Sequence, residues 1–140
     1  MQIAIGNDHA GVELKKRLLA GVLADHDVTD VGVHTMDPAD YPDQAQLVTA
    51  RVQEGQAERG ILICGTGIGM AMAAGKRPGI RPAQCADPLS AELSRLHNDA
   101  NVLCLGARML GSAMAERIVE VWLATPFSGG RHARRVAKIG

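Results

Sequence analysis

The sequence predicts an α/β domain, a Rossmann-like three-layer sandwich around a five-stranded parallel sheet. Three observations carry that prediction. Short runs rich in Ile, Val and Leu alternate with longer segments of helical period. The runs are nearly continuous, as in Ile61-Leu62-Ile63-Cys64, which suits a strand covered on both faces rather than one with a wet side. Finally, 140 residues with 46% hydrophobic and 21% charged content suffice to bury one core. Repeated β-α units with right-handed crossovers then give a doubly wound single domain over residues 1–140.

The strands are expected at 2–6, 28–33, 60–64, 81–86 and 101–106. Between the first two, Val12, Leu14, Leu18, Leu19, Val22 and Leu23 mark an amphipathic helix. Similar patterns predict helices over 43–56, 67–76, 88–97 and 110–123, and a short basic helix over 129–139. The longest loop, 34–42, contains Pro38 and Pro42.

Composition excludes several functions. Fifteen Lys and Arg balance fifteen Asp and Glu, and Tyr41, Trp122 and Phe127 are the only aromatics. This argues against an electrostatic grip on nucleic acid and against a base-stacking platform. The balance is uneven along the chain: residues 127–140 hold Arg131, Arg134, Arg135 and Lys138 with no acid, leaving the first 126 residues at −4. No apolar run approaches the ~20 residues that span a bilayer, and no signal peptide is visible, so no membrane partner and a cytoplasmic location are expected. Cys64, Cys85 and Cys104 are odd in number without C-x-x-C spacing, which suits reduced thiols. No His or Cys pair has metal-ligand spacing, so no metal site is expected.

In this fold class ligands bind beyond the carboxyl ends of the strands. There the sequence places Asn7-Asp8-His9, His34 with the Asp40-Tyr41-Pro42 loop, Cys64-Gly65-Thr66-Gly67-Ile68-Gly69, and Gly106-Ala107-Arg108. The glycine segment follows a strand and opens a helix. Its N–H groups suit an anion, although a compact β-α turn would use the same glycines. No Gly-Lys-Ser/Thr follows, and Met70 breaks the dinucleotide pattern, leaving Asp87 as the remaining hint of a nucleotide-binding module. Cys64 abuts the helix N-terminus, which favours a thiolate and a proton-transfer role. Cys85 and Cys104 read as small buried hydrophobes. His97 closes the fourth helix, where a cation also suits the negative helix end. Arg131 and Arg135 share one helical face and suit a phosphate, or equally a solvated basic end.

Together these segments resemble the type B ribose-5-phosphate isomerase family, which includes galactose- and allose-6-phosphate isomerases. The resemblance covers nearly the whole chain. It rests on Gly6-Asn7-Asp8-His9-Ala10-Gly11, Asp40-Tyr41-Pro42, the run from Gly60 to Gly69, Ser94-Arg95 with His97-Asn98-Asp99-Ala100-Asn101-Val102-Leu103, Gly106-Ala107-Arg108, and Gly129-Gly130-Arg131-His132 with Arg135-Val136.

The resemblance implies aldose–ketose isomerisation through ring opening and a cis-enediolate, with ribose 5-phosphate as the default substrate and no metal or organic cofactor. Allose 6-phosphate, galactose 6-phosphate and a tetrose phosphate are the alternatives. It implies Cys64 as the base, Thr66 as a proton shuttle, and His97 as the ring-opening group assisted by Asp8 or Asp40. Asn98 would hold a sugar oxygen, with Tyr41 and the N–H groups of Gly65, Gly67 and Gly69 in the binding set. His9, Arg108, Arg131 and Arg135 would bind phosphate. Some relatives carry a Glu further along the glycine loop; this chain keeps Cys64, with Met70 and Ala71 in that stretch. The resemblance further implies a homodimer, possibly paired into a tetramer, whose C-terminal arginines reach the neighbour's site.

Overall fold

A computed structural model describes all 140 residues. Five parallel strands form one sheet in the order β2-β1-β3-β5-β4: β1 (Gln2–Asn7), β2 (Asp27–Asp30), β3 (Arg59–Cys64), β4 (Pro82–Gln84) and β5 (Val102–Gly106). The helices are α1 (Val12–Ala20), α2 (Tyr41–Gln53), α3 (Ile68–Ala74), α4 (Pro88–Asn98), α5 (Ser112–Ala124) and α6 (Arg131–Ile139), and a 3-10 turn (His9–Gly11) precedes α1. The predicted α/β class and every predicted element are present.

Side-chain alternation divides the core into two layers. Ile3, Ile5, Ile61, Ile63, Leu103 and Leu105 face Leu18 of α1 and Ile118, Val119 and Trp122 of α5. Ala4, Leu62, Cys64, Val102 and Cys104 face Val48 of α2 and Met70 and Ala74 of α3. The second layer is thin because Gly6 and Gly60 leave room for α2. A Cβ at either would lie 2.7 or 2.6 Å from a methyl of Val48.

Three boundaries differ from the sequence expectation. The second strand stops at Asp30 rather than continuing to residue 33, because the Asp30 carboxylate turns the chain by accepting from the Gly32 N–H at 2.9 Å. The fourth strand is only three residues long: Asn101 Oδ1 takes the Arg81 N–H at 2.8 Å and holds Arg81 off the ladder. The second helix starts earlier, at Tyr41, with Pro42 in its first turn, where the missing N–H costs nothing.

Chain order produces a switch point. The first crossover, through α1, carries the chain from β1 out to β2; the next, through α2, returns it past β1 to β3. The crevice therefore opens at the carboxyl ends of β1 and β3, between Asp8 and Cys64. At the opposite, amino-terminal edge, the Arg59 guanidinium bonds the Trp122 and Leu123 carbonyls at 2.7 and 3.1 Å and lies 5.2 Å from the Trp122 ring centroid. Trp122 thus joins α5 to the sheet. Trp122→Ala should cost about 3–5 kcal/mol by cavity formation, read as a lower denaturant midpoint with the slope preserved.

Candidate active site

The crevice at the carboxyl ends of β1 and β3 is a cleft of about 450 Å³ lined by Asp8, Tyr41, Cys64, Gly65, Thr66, Ile68, Gly69, Met72 and Arg108. At its floor is Cys64, the last residue of β3 and buried, whose Sγ accepts the Gly67 N–H at 3.1 Å. That bond depends on Gly67 at φ +79°, a left-handed conformation that disfavours any side chain. A Cβ there would also press on the Leu105 and Cys104 carbonyl carbons at 3.0 and 3.2 Å.

Each remaining glycine serves a different neighbour. Gly65 leaves space for the Arg108 side chain, and Gly69 for the Tyr41 ring, which would lie 2.7 Å from an added Cβ. Gly106 at the end of β5 lets the Thr66 backbone lie against it. The turn leaves donors over. The Ile68 N–H is taken by Thr66 Oγ1 at 3.2 Å, whereas the N–H groups of Gly65, Thr66, Gly69 and Met70 find no acceptor within the chain. Four unpaired donors around a buried thiol form a ready anion site.

The other thiols play no part. Burial pushes Cys85 up to about 11 and Cys104 higher still, so both stay protonated. Asp8, buried, accepts the Ala10 N–H on Oδ1 at 2.9 Å. His9 follows Asp8 without itself lining the cleft, and its Nδ1 accepts the Ala39 N–H at 3.2 Å, which places the proton of the neutral ring on Nε2. Asp40 caps α2 by position alone; its side chain makes no capping bond.

The remaining predicted residues lie elsewhere. The helix α4 runs back from the end of β4 to the start of β5, so His97 and Asn98 sit at the amino-terminal edge, whereas Cys64 pairs with Gly106 at the far end. The length of β5, at ~3.3 Å per residue, separates the groups by roughly 16 Å, beyond any direct contact. Asn98 lines a separate hollow of about 330 Å³ together with Arg81, Ser94 and Ile139. Gly129 and Gly130, both at positive φ, turn the chain onto α4, where the His132 and His97 rings stack at 4.3 Å and 14°. Arg131 and Arg135 are exposed and form no ion pair.

Full-length similarity accompanies this geometry. The model of the ribose/galactose isomerase family matches residues 3–139. The chain belongs to that family. It is 45% identical to the ribose-5-phosphate isomerase B of Escherichia coli K12, over 99% of this chain and 93% of that one. It is 42% identical to a D-erythrulose-4-phosphate isomerase of Pectobacterium atrosepticum, over 100% of this chain and 93% of that one. The structure of Clostridium thermocellum ribose-5-phosphate isomerase B superimposes with a TM-score of 0.97 at 48% identity, covering 100% of this chain and 95% of the other. The fold is therefore that of an isomerase family.

Sequence reasoning gave no role to Ile68 and Met72, which form an apolar lip on the cleft, or to His132. The last was readable in principle, since Arg131, His132 and Arg135 fall on one short helix. The His132 imidazole titrates below its ordinary range, first because partial burial disfavours its cation, then because His97, Arg131 and Arg135 add positive charge. The sign follows. A detached α6 would bind a proton at the ordinary value near 6.5 and a docked one only below it, so the contribution of His132 to docking is fully present above about pH 6.5 and is lost as pH falls. An NMR titration should find the His132 midpoint below that of an unstructured histidine, with α6 amide exchange accelerating over the same range.

Proposed function

We propose that this chain interconverts ribose 5-phosphate and ribulose 5-phosphate in a site assembled from two copies of itself. The observation that carries the reading is the buried thiol at the floor of a cleft whose glycine turn carries four N–H groups without an acceptor in the chain, in a chain of this family.

In the proposed reaction His97, assisted by Asp8 or Asp40, opens the sugar ring by moving a proton between the ring oxygen and O1. The Cys64 thiolate then removes the proton from C2 of the aldose, and the electron pair passes to O1 to give a cis-enediolate. Thr66 moves a proton from O2 to O1, and Cys64 returns its proton to C1, leaving the ketose; no electron is gained or lost overall. The Gly65, Thr66, Gly69 and Met70 N–H groups face the charge that develops on oxygen, each worth roughly 3–4 kcal/mol in comparable oxyanion holes. Proton transfer by a positioned base contributes a further ~10²–10⁴ in rate. His9 and Arg108 hold the phosphate, aided by Arg131 and Arg135, so that binding energy at the unreactive end orients the carbonyl end.

One chain cannot do all of this, because His97, Asn98, Arg131 and Arg135 stand at the wrong end of the sheet. A two-fold dimer supplies them, since each copy can lend its amino-terminal edge to the other's cleft. Exposed Ile68 and Met72 on α3 and Leu89 and Leu93 on α4 flank the edge strand and favour such a partner. Asn98 then holds a sugar oxygen and Tyr41 closes the cleft side. The D-erythrulose-4-phosphate isomerase relative favours one second reading, a tetrose phosphate substrate. A kcat/KM panel of ribose 5-phosphate, allose 6-phosphate, galactose 6-phosphate and erythrulose 4-phosphate decides between them, with ribose 5-phosphate expected to lead. Cys64→Ala should lower kcat by about 10²–10⁴ with little change in KM; near wild-type turnover would refute the base assignment.

A further inference from the structure

Lys15 is 2% exposed on the inner face of α1, yet no step of the proposed reaction uses it. Its Nζ donates to Asp30 Oδ1 at 3.1 Å and to the Val33 carbonyl at 2.7 Å. An ammonium taken out of water rarely stabilises a fold more than apolar packing of the same volume would. A lysine kept there points to a geometry that apolar packing does not specify.

The bonds lead from this pair to the cleft. Asp30 Oδ1 also accepts the Gly32 N–H at 2.9 Å, and Gly32 lies so close to Asn7 that a Cβ would sit 1.9 Å from Asn7 Oδ1. Asn7 Nδ2 donates to the same Val33 carbonyl at 3.2 Å and to the Asp8 carbonyl at 2.8 Å. Val33 is thus a node where α1, the end of β1 and the loop after β2 meet. The loop continues to Ala39, whose N–H donates to His9 Nδ1, and then to Tyr41, whose ring lies on Gly69. Two walls of the cleft, Asp8 and Tyr41, together with His9 next to the first, are connected by these bonds to one buried ammonium.

We propose that Lys15, paired with Asp30, is a positioning residue that sets the orientation of His9 beside the cleft and of Tyr41 in its wall, and thereby fixes the phosphate end of the substrate. This rests on the isomerase reading of the cleft, and two measurements keep the ideas separable. The first is steady-state kinetics with ribose 5-phosphate; the second is the ¹⁵N resonance of His9 Nδ1, which reports the Ala39 bond without any turnover. Absence of wild-type turnover would refute the reaction while leaving the His9 resonance to decide the role of Lys15.

The variant of choice is Lys15→Met/Asp30→Asn, which removes both charges yet keeps an acceptor for the Gly32 N–H. The double variant should melt close to the wild type, raise KM about tenfold or more with a smaller change in kcat, and shift the His9 resonance as the Ala39 bond is lost. A folded double variant with KM within about twofold of the wild type, or with an unmoved His9 resonance, overturns the proposal. If that variant does not fold, Asp30→Asn alone, whose single Oδ1 can still accept from Lys15 Nζ and the Gly32 N–H while the negative charge is removed, reads the same two quantities. It should move both in the same direction by less, and movement of neither overturns the proposal.

Discussion

The hydrogen bond from the Gly67 N–H to Cys64 Sγ depends on a backbone conformation that favours glycine, and the rest of the cleft follows from it. Turning the chain at positive φ directly after β3 brings the first turn of α3 over the thiol and leaves four neighbouring N–H groups pointing away from any acceptor. The turn fits only because β5 ends in Gly106, and its outer side is shaped by Tyr41 against Gly69 and Arg108 against Gly65. A rigid parallel sheet fixes where β1 and β3 end, so a short, glycine-rich connection suffices to build a site of defined geometry.

The same sheet that builds the cleft also divides the chemistry. An α4 helix that must return to the amino-terminal edge before β5 carries His97 away from Cys64, and α6, packed on the end of α4, carries the arginines with it. The uneven charge of the chain acquires a physical meaning here. An acidic body at −4 and a terminal segment at +4 lie in one neutral molecule, which suits the segment of one copy to the body of another.

Much of this was legible in the sequence. Uninterrupted apolar runs gave the parallel sheet, and the sequence ends of those runs located Asp8, Cys64 and Arg108, because a strand's direction dictates which residues reach its carboxyl end. The glycines were read as an anion nest; the structure adds that Gly65 and Gly69 also make room for side chains from distant segments, which local spacing does not encode. Lys15 was overlooked although it lies three residues before Leu18 on the buried stripe of α1, where a lysine contradicts the amphipathic pattern. Its partner Asp30 belongs to another element, so only the tertiary fold shows why the charge is tolerated. The separation of His97 from Cys64 was implicit in the same rule, since a residue that closes the helix before β5 lies at the amino end of that strand.

The division of the site between two copies is the central claim, and it is tested most directly by mixing two inactive variants. Cys64→Ala and His97→Ala, each impaired alone, are unfolded together in equal amounts and refolded. If a site takes Cys64 from one copy and His97 from the other, half of the dimers are mixed and each carries one intact site, so activity returns to about a quarter of the wild-type value. If both residues act within one chain, every site keeps a lesion and the mixture stays as inactive as its components.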